Sequence, residues 1–109
     1  AYYPFLESHA HYAIAREQRK GGGGVVSFTI KGDLDAAKRF MDSLGMIYIA
    51  PSLGGVETLI THPATVTYYR YTREQRYDLG IVDNLFRLAV GIEDVKDIIA
   101  DLERGFAGI

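Results

Sequence analysis

Val25-Val26-Ser27-Phe28-Thr29-Ile30 alternates with a period of two. In an extended chain successive side chains point to opposite faces, so Val26, Phe28 and Ile30 share one side and Val25, Ser27 and Thr29 the other. The pattern returns at 84–90, where Phe86, Leu88 and Val90 lie on one face and Leu85, Arg87 and Ala89 on the other. Two strands are therefore expected, with the chain between them supplying whatever joins and covers them.

Working outward, Ser8 is placed to cap a helix over 9–19, whose end carries Arg16, Arg19 and Lys20, as suits a helix C-terminus. Gly21 to Gly24 break it. Asp33 caps a second helix, in which Leu34, Ala37, Met41 and Leu44 recur at spacings of three and four until Gly45. Residues 46–50 form a short apolar strand before Pro51, 52–56 a loop, and 57–61 another strand ended by His62-Pro63. Thr72 with Gln75 makes a capping box for a helix reaching Leu79 before Gly80. The last helix starts near Glu93-Asp94, and Val95, Ile98, Ile99, Leu102 and Phe106 are its expected buried stripe. Helix, then strand–helix–strand–strand–helix–strand–helix, predicts an α/β fold: one small mixed sheet with helices packed on one face.

With 109 residues, 48% of them hydrophobic, the chain suits one domain with a core of its own. A net charge of -2 gives no broad attraction to nucleic acid or to an anionic membrane. The absence of cysteine excludes disulfides and thiolate metal sites. No apolar run is long enough to span a bilayer. The apolar start Ala1-Tyr2-Tyr3-Pro4-Phe5, without Met or leader, suggests a fragment of a longer protein.

Arg87 stands out among the polar residues. A guanidinium mid-strand between apolar neighbours is held by a stiff backbone, and its fork matches a carboxylate through two parallel hydrogen bonds. An internal ion pair or a solvent-facing arginine is the alternative. Ser52-Leu53-Gly54-Gly55 follows a strand. Its glycines let backbone approach a ligand, and the Ser52 amide or hydroxyl is able to donate to an anion, although most such loops are plain turns. Gly21 to Gly24 precede a strand and lack the following lysine and helix of a phosphate loop, so they read as a turn. His9, His11 and His62 are too scattered for a metal site. None of Lys20, Lys31, Lys38 and Lys96 has the setting of a buried Schiff-base lysine. Thr67 to Tyr77 interleaves tyrosines with Arg70, Arg73 and Arg76, a mixture able to stack on single-stranded nucleic acid. The glycine-aromatic strand signature of an RNA-recognition module is missing, however.

Tyr48-Ile49-Ala50-Pro51-Ser52-Leu53-Gly54-Gly55-Val56-Glu57-Thr58-Leu59-Ile60, with His62-Pro63-Ala64 after it, resembles the serine-leucine-glycine-glycine signature of the cystathionine/methionine gamma-family of pyridoxal-phosphate enzymes. Gly80-Ile81, Arg87-Leu88 and Val90-Gly91-Ile92-Glu93-Asp94 follow at that family's spacing, and Tyr3-Pro4, Ser8-His9 and Gly23 to Phe28 match upstream. Phe5-Leu6-Glu7 and Gly22 depart from the pattern.

The resemblance implies the largely antiparallel α+β sandwich of a C-terminal small domain in fold-type I enzymes, covering 1–109, with the catalytic large domain absent. It implies that Arg87 grips the substrate α-carboxylate, that Ser52 helps hold it, and that Leu53 lines the pocket beside them. Pyridoxal phosphate is implied for the parent enzyme; its lysine, its other ligands and every catalytic residue lie outside this chain. Pro51 before Ser52, together with Tyr68-Tyr69, resembles the plant-type synthases more than the lyases. The implied reaction is gamma-replacement of an activated homoserine ester by cysteine, that of a cystathionine gamma-synthase, in trans-sulfuration towards methionine. Elimination by a cystathionine or methionine gamma-lyase is the alternative, and a stand-alone RNA- or amino-acid-binding module is the alternative of another class. Expected partners are the amino-acid substrate, the chain's own N-terminal large domain and three further copies in a homotetramer, with no nucleic acid or membrane. A cytoplasmic or plastid setting is implied.

Overall fold

A computed structural model describes all 109 residues. In chain order it contains α1 (Tyr12–Gln18), β1 (Val25–Thr29), α2 (Leu34–Ser43), β2 (Tyr48–Ile49), β3 (Leu59–Thr61), α3 (Arg73–Asp78), β4 (Leu85–Ala89) and α4 (Val95–Ala107). The strands form one mixed sheet in the order β1-β4-β3-β2. β4 runs antiparallel to β1 and to β3, while β2 lies parallel to β3. The mixed, largely antiparallel sheet is therefore present. Its register sets Arg87 of β4 directly between Ser27 of β1 and Thr61 of β3.

One face of the sheet carries the core. Phe28, Ile60, Phe86 and Leu88 meet Ala36, Ala37 and Phe40 of α2 and Ile98 of α4. Phe40 is fully buried, with ring centroids 5.0 Å from Phe86 and 5.1 Å from Phe106. Burying one such aromatic ring contributes about 1.5–3 kcal/mol, so this cluster is the main cohesive element. α4 lies close to α2 at Gly105, where a methyl group would sit 2.7 Å from the Phe40 ring.

Several local expectations hold. Asp33 caps α2 by accepting from the Ala36 N–H at 3.0 Å. Thr72 and Gln75 form a reciprocal capping box at the start of α3. Gly23 adopts φ 87°, a left-handed conformation suited to the turn before β1. The Tyr3 ring fills the space beside Gly22 that a side chain there would need, and its hydroxyl donates to the Gly23 carbonyl at 2.9 Å.

Two expectations are corrected. α1 begins at Tyr12 rather than at residue 9, because the preceding residues close into turns and His9 Nδ1 accepts the His11 N–H; Ser8 caps nothing. α4 buries Ile98, Asp101 and Gly105, with Leu102 half-buried, while Val95, Ile99 and Phe106 stay substantially exposed. The helix is turned by Asp101, whose fully buried carboxylate accepts the Gly45, Met46 and Ile47 N–H groups at 2.7, 2.9 and 2.7 Å. No helix is long and apolar enough to cross a membrane.

Candidate functional site

Arg87 projects from the face of β4 opposite Phe86 and Leu88. Its Nη2 donates to the Pro51 carbonyl at 2.8 Å, the Ser52 carbonyl at 3.2 Å and Thr61 Oγ1 at 3.4 Å. Its Nε is buried and has no partner. The three ion pairs of the chain join Arg73 and Arg76 to Asp83 and Arg104 to Asp101, so no carboxylate neutralises Arg87. A buried, unpaired donor on a cation costs roughly 1–3 kcal/mol, and an arriving carboxylate would recover it. A cavity of about 260 Å³ opens beside the guanidinium, lined among others by Ser27, Thr61, Thr67, Tyr68 and Leu85.

The loop facing Arg87 is held almost wholly through its carbonyls. Residues 51–57 are all exposed. Their bonds to the fold run from Arg87 to Pro51 and Ser52, and from the Ile92 N–H to the Val56 carbonyl at 2.9 Å. The N–H groups of 52–57 donate to nothing in the protein. Ser52 thus turns its carbonyl, not its hydroxyl, towards Arg87. Leu53 is 52% exposed and does not line the cavity. Arg87 and Ser52 are brought together.

Three neighbours were not singled out by the sequence pattern. Thr61 touches Arg87 and donates its hydroxyl to the Ala50 carbonyl, tying the start of the loop to β3. Glu93 accepts from the Thr58 N–H at 2.8 Å and the Thr58 hydroxyl at 2.7 Å. Those bonds hold its carboxyl below the usual range. His62, fully buried, packs its ring at a tilt against Phe86 with centroids 5.0 Å apart, and bonds to the Asp83 carbonyl at 2.6 Å and Thr65 Oγ1 at 2.8 Å. A carbonyl only accepts, so Nε2 carries the proton. Burial pushes the ring below its ordinary 6.5, outweighing the Asp83 bond that favours the charged form. Local spacing flags none of these contacts, since Thr61 and Arg87, Thr58 and Glu93, and His62 and Asp83 are 26, 35 and 21 residues apart.

Of the arginines between Thr67 and Tyr77, Arg76 is buried against Asp83 at 2.7 Å and Arg73 pairs with the same carboxylate at 2.9 Å. Arg70 lies over Tyr69 and donates to its hydroxyl at 2.8 Å. The charges of Arg73 and Arg76 are thus taken up by Asp83. Lys20, Lys31, Lys38 and Lys96 are all exposed, and no three His, Asp or Glu residues gather as a metal site.

Residues 1–107 match the family described as Cys/Met metabolism PLP-dependent enzyme, which places the chain in the class of pyridoxal-phosphate-dependent enzymes. It is 50% identical over 108 residues to an L-methionine gamma-lyase of Fusobacterium nucleatum subsp. nucleatum, covering 99% of this chain and 27% of that protein. It is 44% identical to the chloroplastic cystathionine gamma-synthase 1 of Arabidopsis thaliana, covering 99% of this chain and 19% of that one. A solved cystathionine gamma-lyase from Lactobacillus plantarum, complexed with L-serine, superposes with a TM-score of 0.85 at 39% identity, over 98% of this chain and 28% of that one. The chain belongs to the Cys/Met metabolism PLP-dependent family. It spans between 19% and 28% of the length of these relatives, which are named for different reactions.

Pyridoxal phosphate belongs to the family, yet the residues present do not form a holder for it. Every lysine is on the surface and the Arg87 cavity contains none.

Proposed function

We propose that this chain is the C-terminal small domain of a larger pyridoxal-phosphate enzyme and that it supplies the grip on the substrate α-carboxylate. The observation that carries this is a guanidinium with no carboxylate partner, an unpaired Nε, and a loop of free N–H groups opposite it. An incoming carboxylate takes the place of the Pro51 and Ser52 carbonyls on Nη2 and supplies the acceptor that Nε lacks. Ser52, beside Arg87, then holds the second side of that group. The L-serine bound to the Lactobacillus plantarum relative is a ligand of this class. Cofactor chemistry belongs to the large domain, and the fragment by itself is inactive.

Two charge-assisted bonds contribute about 1.5–3 kcal/mol each. Arg87→Ala in the full-length enzyme should therefore lower kcat/KM by about 10²–10⁴-fold, mainly through KM. An unchanged KM would end the assignment.

For the whole enzyme we favour gamma-replacement by a cystathionine gamma-synthase, because Pro51 precedes Ser52 as in plant-type synthases. Gamma-elimination is the second reading, favoured by 50% identity to a methionine gamma-lyase against 44% to the synthase. Product analysis separates them: cystathionine from a homoserine ester and cysteine, or 2-oxobutanoate from cystathionine or methionine. A homotetramer, in the cytoplasm or a plastid, completes the proposal.

A further inference from the structure

The substrate loop has no bonds of its own to keep its shape, so its geometry is set by what grips its two ends. At the start, the Ala50 N–H donates to the Ile60 carbonyl at 3.0 Å and Thr61 donates to the Ala50 carbonyl. Next along the chain, Arg87 Nη2 holds the Pro51 and Ser52 carbonyls. At the far end, both oxygens of Glu93 are taken up by Thr58, and the Gly91 N–H donates to Thr58 Oγ1 at 2.9 Å. Thr58 is fully buried and opens directly into β3. Glu93 has no cation within ion-pair distance, so its charge is committed to that one threonine. Gly91 lets the two segments touch: a side chain there would collide with the Val56 carbonyl and the Glu57 backbone.

Arg87 and Glu93 sit six positions apart on one segment, β4 and its continuation, and reach opposite ends of the loop. If a substrate carboxylate takes over Nη2, the loop loses its tether at Pro51 and Ser52. The clamp on Ala50, the Thr58–Glu93 clamp and the Ile92 N–H bond to the Val56 carbonyl then keep Ser52 beside the guanidinium.

We propose that Glu93 is a positioning residue for substrate binding: through Thr58 it holds the 51–57 loop against Arg87 while Arg87 is engaged by the substrate carboxylate. This rests on the carboxylate-grip reading above. The Glu93 carboxylate touches no substrate; it acts through Thr58. Glu93→Ala removes both acceptors. Glu93→Gln keeps the shape but sets an amide N–H against one of the two Thr58 donors. Thr58→Val removes the hydroxyl, and Thr58→Ser restores it.

The test is steady-state kinetics of the full-length, cofactor-loaded enzyme, with each variant checked for folding by circular dichroism. Glu93→Ala and Thr58→Val are expected to raise KM for the amino-acid substrate about ten- to a hundredfold while kcat changes far less. Glu93→Gln falls between, and Thr58→Ser stays close to wild type. Inhibition by a substrate analogue should weaken in parallel, whereas inhibition by the same analogue with its carboxylate amidated should not. Should Glu93→Ala fail to fold, Glu93→Gln carries the reading alone. Folded Glu93 and Thr58 variants with wild-type KM, alongside an Arg87→Ala variant with a raised one, overturn the Glu93 inference and leave the carboxylate grip standing. A wild-type KM in Arg87→Ala overturns both.

Discussion

Asp101→Asn exchanges one oxygen of a fully buried carboxylate for an amide nitrogen without changing volume. Oδ2 accepts from Met46 and Ile47, and Oδ1 from Gly45 and from Arg104 Nε and Nη2. Asparagine can offer its oxygen to only one of these sets. The cheaper orientation keeps Met46 and Ile47 bonded and leaves the Gly45 N–H facing an amide N–H, which costs about 1–3 kcal/mol. The two surviving bonds fall from charged to neutral strength, about 1 kcal/mol each. Arg104, with 58% of its side chain exposed, returns to water and adds little. The total is about 3–5 kcal/mol, a large part of the stability of a domain this size. Urea and thermal denaturation followed by far-UV circular dichroism should show it, with a midpoint lowered by more than about 10 °C. Exposed Asp42→Asn is the reference and should stay within about 0.5 kcal/mol of wild type. If Asp101→Asn matched that reference, the buried carboxylate would not be what turns α4 and secures the 45–47 turn leading to β2.

Gly91→Ala should destabilise by about 1–3 kcal/mol in urea titrations, because the added methyl meets backbone that cannot move aside; a neutral effect would mean that the two segments are not in contact. Acid should weaken the fold. Burial alone would raise the Asp101 carboxyl, but the Ile47 N–H, Arg104, and the Gly45 and Met46 N–H groups together lower it to about 2. That contribution is complete above the unfolded value of about 4 and is lost as pH falls from there through about 2, so Asp101→Asn should flatten the acid limb of a stability–pH curve. The buried His62 ring is also lowered, so the unfolded chain binds its proton first and stability slips as pH drops below 6.5. Its imidazole shifts by NMR should titrate below that value; titration above it would contradict the buried, neutral ring.

The strands around the site were legible because alternation is a local property. Val25 to Ile30 and Leu85 to Ala89 show it, and both pair as β1 and β4. Arg87 could be singled out from the same pattern. Its cross-strand neighbours Ser27 and Thr61 could not, since register depends on residues 60 and 26 positions away. The Ser52 loop reads as turning an amide or hydroxyl towards an anion, whereas it is the Ser52 carbonyl that meets Arg87. Glu93 read as an acid at a helix N-terminus, yet Asp94 is the residue that caps α4, accepting from Lys96 N–H, and Glu93 reaches back to Thr58. The stripe expected on α4 failed for a related reason. Hydrophobic period alone turns Ile99 and Phe106 inward, while the N–H groups at 45–47 need a buried acceptor and turn Asp101 inward instead.

A crystal structure of the full-length enzyme with an unreactive amino acid bound would test the proposed role of Arg87 at its root. The ligand carboxylate should lie about 2.7–2.9 Å from Arg87 Nε and Nη2, with the Pro51 and Ser52 carbonyls displaced from Nη2. A carboxylate bound by other groups, with Arg87 still donating to those two carbonyls, would contradict it.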